Sequence, residues 1–212
     1  MATAYSRGLP LPLRNALAEL VIGALQNDGD ASALAWLAAA ESPAPPRVRR
    51  RLAALHLVDD DGTLMDVHLP HRDAAHRHAV RALRAAEVYR SRPAPGGAIE
   101  RAAAQAAVLW NQRLFFEVHE VLEAVWKTAN GATRQALQGL IQIGVALHHH
   151  AHGNVRGART LMHEGRDRLA ATRGALPTVD VDALLAATTP WDDAFAAGTE
   201  PPAGPPPPLL LM

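Results

Sequence analysis

The chain has 212 residues, of which 49% are hydrophobic and 20% charged, a size and balance that suit one large domain or two small ones. Lys plus Arg and Asp plus Glu both number 21, so the formal charge is zero and nothing in bulk electrostatics draws the chain to nucleic acid or an anionic membrane. It contains no cysteine, which excludes disulfides, thiolate nucleophiles and cysteine-based metal centres within it.

The opening stretch, MATAYSRGLPLPLRNALAEL, lacks a continuous apolar core after a basic start, so no signal peptide is expected there. No apolar run approaches the roughly 18 residues needed to span a bilayer. A cytoplasmic location without membrane partners is the expectation, and a homo-oligomer is compatible with it.

The pattern predicts helices over Leu13–Gln26, Ala31–Ala40 and Pro46–Leu55, with Asp30 capping the second and Pro46 in the first turn of the third. In LHLVDDDGTLMDVHL, Asp61-Gly62 lies between two short apolar runs, a β-hairpin signal. A longer helix spans His71 to Arg90. The order helix, helix, helix, hairpin, helix is similar to a winged-helix domain, whose recognition helix would be the third. Arg47, Arg49, Arg50 and Arg51 lie on that helix and are the candidate nucleic-acid contacts. Charge argues against them: residues 1–92 carry 12 Arg and 10 acids, and Asp59, Asp60 and Asp61 fall in the wing. The alternatives are a protein-interaction module and a plain helical cap with solvated arginines.

Pro and Gly in SRPAPGG mark a linker, residues 93–98, between this module (1–92) and the second half of the chain. Beyond the linker the pattern is helical: about Ile99–Ala129 with a break near Asn111, then Thr133–His150, then Asn154–Thr172. Gly153-Asn154 reads as a C′ glycine with an N-cap directly after it, which makes the last two an antiparallel hairpin. Two short helices, Val181–Ala187 and Trp191–Ala197, complete a bundle over 99–197. The Pro-rich tail, 198–212, is expected to be extended or disordered. The fold class is therefore mainly α: a helical bundle preceded by a helical module carrying one small hairpin.

On LFFEVHEVLEAVWK, at 100° per residue, Leu114, Phe115, Val118, Val121, Leu122, Val125 and Trp126 share an arc of about 140°. His119 and Glu123, one turn apart, fall at its edge, while Glu117 and Glu120 lie further round towards solvent. The next helix, RQALQGLIQIGVALHHH, is apolar on nearly all sides except for a stripe of Gln138, Gln142 and His149, with Gln135 at its edge. Gly139, Gly144 and Ala146 let neighbouring backbones come close, which offsets the roughly 1 kcal/mol each glycine costs a helix. The simplest assembly sets this stripe against His119 and Glu123 as a buried polar seam. Three readings of the seam compete. It is a structural hydrogen-bond network; or a divalent-metal site of His119, Glu123 and His149; or a pocket for a small polar ligand. In the metal reading the protein is an enzyme, a hydrolase for instance, with Glu120 as candidate base. The tract His148, His149, His150 and His152 looks like a metal tract, but on a helix at most His148 and His152 share a face, so solvated histidines at the helix end are the expectation.

The strings FFEVHEVLEAVW, QALQGLIQIGVALHHHAHGN and VRGARTLM resemble the DUF309 family over about Arg101 to Ala171. The resemblance implies a small all-α bundle and places the family's polar positions at Glu117, His119, Glu120, Glu123, Gln138, Gln142 and Asn154. It implies no activity. Function is left with three candidates: a non-catalytic binding or scaffold protein, a metal-dependent enzyme, and a DNA-binding regulator.

Overall fold

A computed structural model of the protein describes residues 8–39, 42–93 and 95–212. Nine α-helices and no β-sheet are found among them, and they form two compact units, Gly8–Pro93 and residues 95–212. No helix among the described residues is long and apolar enough to cross a membrane.

The first unit holds α1 (Leu11–Ala24), α2 (Asp28–Ala39), α3 (Pro46–Ala54) and α4 (Arg72–Arg90). A proline stands in the first turn of α1 and of α3, where the missing N–H has no intrahelical partner to lose. Leu17, Leu20, Val21, Leu34 and Leu52 form its buried centre. The cap of α2 is Asn27, whose Oδ1 accepts from the Asp30 amide at 2.9 Å. Asp30 is instead drawn inward, 7% exposed, to meet Arg51. The expected hairpin is reduced to one antiparallel bridge, Val58 to Leu64. Its turn is held by acids: Thr63 donates to Asp59 and Asp61 through both its amide and its hydroxyl. A short 3-10 turn, Asp66–His71, then leads into α4 before a second strand can develop.

The second unit is a bundle of α5 (Ala98–Asn111), α6 (Phe115–Trp126), α7 (Gly131–Ala151), α8 (Val155–Ala171) and α9 (Val181–Ala197). The break between α5 and α6 turns on Arg113, whose φ is +58°. Gly153, at φ +78°, ends α7, and Asn154 caps α8 by accepting from the Gly157 amide at 3.0 Å. α7 lies between α6 and α8, with Leu137, Leu140, Ile143 and Leu147 buried. At the α7–α8 crossing two glycines face each other: a Cβ on Gly139 would lie 2.8 Å from the Gly165 carbonyl oxygen, and one on Gly165 would lie 2.7 Å from that of Gly139.

The two short C-terminal helices are one, α9, running through Pro190. Proline removes a ladder bond and crowds the preceding turn. Side chains hold that turn: Arg166 of α8 donates to the Leu185 carbonyl at 2.5 Å and to the Thr188 hydroxyl, and Thr188 and Thr189 donate back to Leu184 and Leu185. The Pro-rich tail is extended and lies against α5 and Val179. Trp110 Nε1 donates to the Pro207 carbonyl at 2.8 Å, Asn111 exchanges two 3.0 Å bonds with the Leu209 backbone, and Leu211 bridges to Val179.

Candidate functional site

The α7 stripe does not meet His119 and Glu123. It faces α8. Gln135 Oε1 accepts from Arg168 at 2.7 Å, Gln142 Nε2 donates to Glu164 at 2.8 Å, and Asn154 Nδ2 donates to His149 Nδ1 at 3.2 Å. Gln138 lies half-buried on the same helix. The continuous seam of His119, Glu123, Gln138, Gln142, His149 and Asn154 is therefore not formed. Its α7 half belongs to the helical hairpin, and its α6 half stands apart.

That α6 half is a compact group. His119, Glu120 and Glu123 offer one ligand atom each, and these atoms all lie within 4.8 Å of one another. His119 Nδ1–H donates to Glu120 Oε1 at 3.0 Å. Glu123 Oε2 accepts from Lys127 Nζ at 3.1 Å, an i,i+4 pair on the helix surface. The His119 and Glu123 side chains are 31% and 33% exposed, so they sit at the margin of the apolar arc rather than under it. Phe116 lies beside the imidazole, with ring centroids 6.4 Å apart.

His149 is outside this cluster, so the set His119, Glu123 and His149 is replaced by His119, Glu120 and Glu123. Helix geometry accounts for the change. Residues i and i+4 share a face, and a long carboxylate at i+1 swings across the intervening 100°, whereas His149 lies at the far end of α7. Glu120, the candidate base, becomes a candidate ligand. For metal–ligand bonds of about 2.1 Å, neighbouring ligand atoms stand about 3.0–3.4 Å apart. The His119–Glu120 pair already has that spacing.

One acid at this end of α6 departs from the periodicity. Glu117, expected towards solvent, is 0% exposed. It occupies the first turn of α6, where the unsatisfied amides and the positive end of the helix dipole favour a carboxylate.

The histidine tract points in several directions. His148 and His152 lie against each other, centroids 4.3 Å apart and the rings tilted by 40°, and His152 Nδ1 donates to the His148 carbonyl. His150 turns inward against α9, edge-on to Trp191 at 5.3 Å and near Phe195 at 5.5 Å. Burial there pushes its pKa below the ordinary histidine value, against a weaker opposing effect of the Glu200 charge.

In the first unit, two of the four candidate nucleic-acid arginines are engaged. Arg51 bridges Asp30 at 2.6 Å and Glu19 at 2.8 Å, and the bond from Asp30 raises its pKa further. Arg49 donates to the Ala44 carbonyl at 3.2–3.3 Å. Arg47 and Arg50 are exposed.

Residues 103–161 match a family described as a domain of unknown function, DUF309. The chain is also similar to an uncharacterised protein, YpuF, of Bacillus subtilis (strain 168). The two are 38% identical over 71 residues, which are 33% of this chain and 41% of that protein. The chain thus spans less than half the length of the curated relative it matches. No solved structure matches. The matched family segment runs from α5 into α8 and contains the His119, Glu120 and Glu123 cluster.

Proposed function

We propose that the helical bundle is a divalent-cation-binding module whose ion is held on α6 by His119, Glu120 and Glu123. One observation carries this reading: an imidazole and two carboxylates present ligand atoms within 4.8 Å of one another on a half-exposed helix face. One nitrogen and two carboxylate oxygens suit a first-row divalent ion such as Mn, Fe, Ni or Zn. Binding replaces the His119 N–H to Glu120 bond and draws Glu123 from Lys127; the ion needs a bare imidazole nitrogen and ionised carboxylates, so its affinity falls in acid. With Glu120 counted among the ligands, the hydrolase reading loses its base. This favours binding without catalysis.

The test is elemental analysis of protein purified without a His tag, then calorimetric titration with Mn²⁺ and Zn²⁺. The expected result is about one ion per chain, with thermal stabilisation on addition and loss of both in His119→Ala and Glu123→Gln. Less than about 0.1 ion per chain with no stabilisation by either metal would overturn the reading.

A further inference from the structure

Residues 207–212 are recognised through their backbone. Trp110 Nε1 donates to the Pro207 carbonyl at 2.8 Å. The Asn111 side chain accepts from the Leu209 amide and donates to the Leu209 carbonyl, both at 3.0 Å. The Asp180 amide donates to the Leu210 carbonyl at 3.0 Å, and the Met212 amide donates to the Thr178 carbonyl at 3.1 Å. The tail side chains alternate as in a strand: Pro207 and Leu209 are buried, Pro208 and Leu210 exposed. Domains that bind extended peptides use the same division, with main-chain bonds for affinity and alternate side chains for selection.

The receiving atoms suit such a peptide. Trp110 is 1% exposed, and its N–H is left unmatched at a cost unless a carbonyl reaches it. The Asn111 carboxamide, one donor and one acceptor, complements both polar groups of a single residue. The link from α9 is held far less. Among the described residues no hydrogen bond ties residues 200–206 to the bundle, and four of these seven are prolines with no N–H to give. Gly198 and Gly204, at φ +70° and +129°, turn the chain on this stretch, and glycine turns as readily the other way. Redirected and extended, the link reaches about 22 Å. Since every bond above runs to tail backbone, a tail from another molecule meets the same atoms in the same register.

We propose that the face formed by Trp110, Asn111 and residues 178–180 is a docking site for the tail of a second copy of this chain, with the chain's own tail competing for it. A short linker sets an effective concentration on the order of millimolar, so a tail seated in its own site binds between copies with a Kd below about 1 mM. The experiment uses full-length chains. Leu209→Asp puts a charge at a buried tail position and leaves the site open. Pro207→Asp is an independent route to the same open site. Asn111→Ala, at an exposed position, weakens the site and leaves the tail intact. At about 0.5 mM each variant alone is monomeric in sedimentation equilibrium, whereas Asn111→Ala mixed with either tail variant forms a 1:1 heterodimer. The Leu209→Asp chain also binds a synthetic PPPPLLLM peptide, and it binds octaproline at least tenfold more weakly. Three results would overturn the proposal: no heterodimer in the mixtures, as much heterodimer when the parent replaces the tail variant, or octaproline binding as tightly as PPPPLLLM.

Discussion

α7 and α8 meet backbone to backbone at Gly139 and Gly165, and a single methyl group tests that contact. In Gly139→Ala the new Cβ meets the Gly165 carbonyl oxygen at 2.8 Å, the Leu169 Cγ at 3.0 Å and the Arg168 Cβ at 3.1 Å. Backbone on the facing helix cannot swing aside as a side-chain tip does, so α7 and α8 separate by about 0.5 Å to restore ordinary contact, which forfeits roughly a quarter of the dispersion well for the atoms along the crossing. Overpacking of this kind costs about 1–3 kcal/mol. Alanine returns about 0.8–1 kcal/mol of helix propensity. A clash with backbone falls in the upper part of that range, about 2–3 kcal/mol, so the first effect wins and the expected net loss is about 1–2 kcal/mol, read as a lowered urea midpoint at constant m-value. Gly165→Ala drives its Cβ into the Gly139 carbonyl and costs a similar amount. The double variant costs less than the two singles together, because one separation relieves both clashes. A Gly139→Ala protein as stable as the parent, or more stable, would refute the close approach, since propensity would then be the larger effect.

Three further outcomes are expected from the side-chain environments. His119→Ala and Glu123→Ala each cost less than about 1 kcal/mol without metal, because both groups are partly exposed and the Glu123–Lys127 pair is a surface ion pair; a loss above about 2 kcal/mol would place them in a buried network. Burial lowers the pKa of His150 in the folded protein below its ordinary 6.5, so the unfolded chain binds more protons there: its stabilising effect is full above pH 6.5 and is lost as pH falls through the folded value. Denaturation midpoints compared over roughly pH 5–8 then show a shallower decline in acid for His150→Leu than for the parent, and parallel curves would contradict the assignment. Asn111→Ala removes both bonds to the Leu209 backbone, and the Leu209 amide, which donates to Asn111 Oδ1, loses its protection from hydrogen exchange; unchanged protection would mean that the tail is held without them.

Local chemistry made much of the architecture legible. Pro46 starts α3, the Gly153-Asn154 pair turns α7 into α8, and the polar Asn111–Gln112–Arg113 stretch divides α5 from α6. The departures are places where a partner distant in sequence decides. Pro190 reads as a breaker, but Arg166 reaches across from α8 to the carbonyl of Leu185. Asp30 reads as a cap, but Arg51, on a separate helix, draws it inward while Asn27 caps α2. Asp61-Gly62 reads as a hairpin turn, but the aspartate side chains close that turn on Thr63 and only one bridge forms. The tail contains no local pattern for order, because what holds it is the indole of Trp110 and the amide of Asn111.

The polar stripe shows the same limit in its sharpest form. Periodicity gives the direction in which Gln138, Gln142 and His149 point relative to their own helix; it does not say which neighbour stands there. Chain connectivity does. Helices joined by the short Gly153-Asn154 turn must lie antiparallel and adjacent, so a residue before the turn meets one at a similar distance after it. Gln135 with Arg168, Gly139 with Gly165, Gln142 with Glu164 and His149 with Asn154 all obey that register. Gly165, in mid-helix at a cost in propensity, is the readable sign that α8 and not α6 faces Gly139. Once α8 takes the stripe, no hydrogen bond among the described residues joins His119 or Glu123 to another helix, and Glu120, next to His119 in the chain, completes their group from the same helix. The proposed ligand set is therefore local to α6, where burial supplies little of its binding energy and the ion would have to supply most of it.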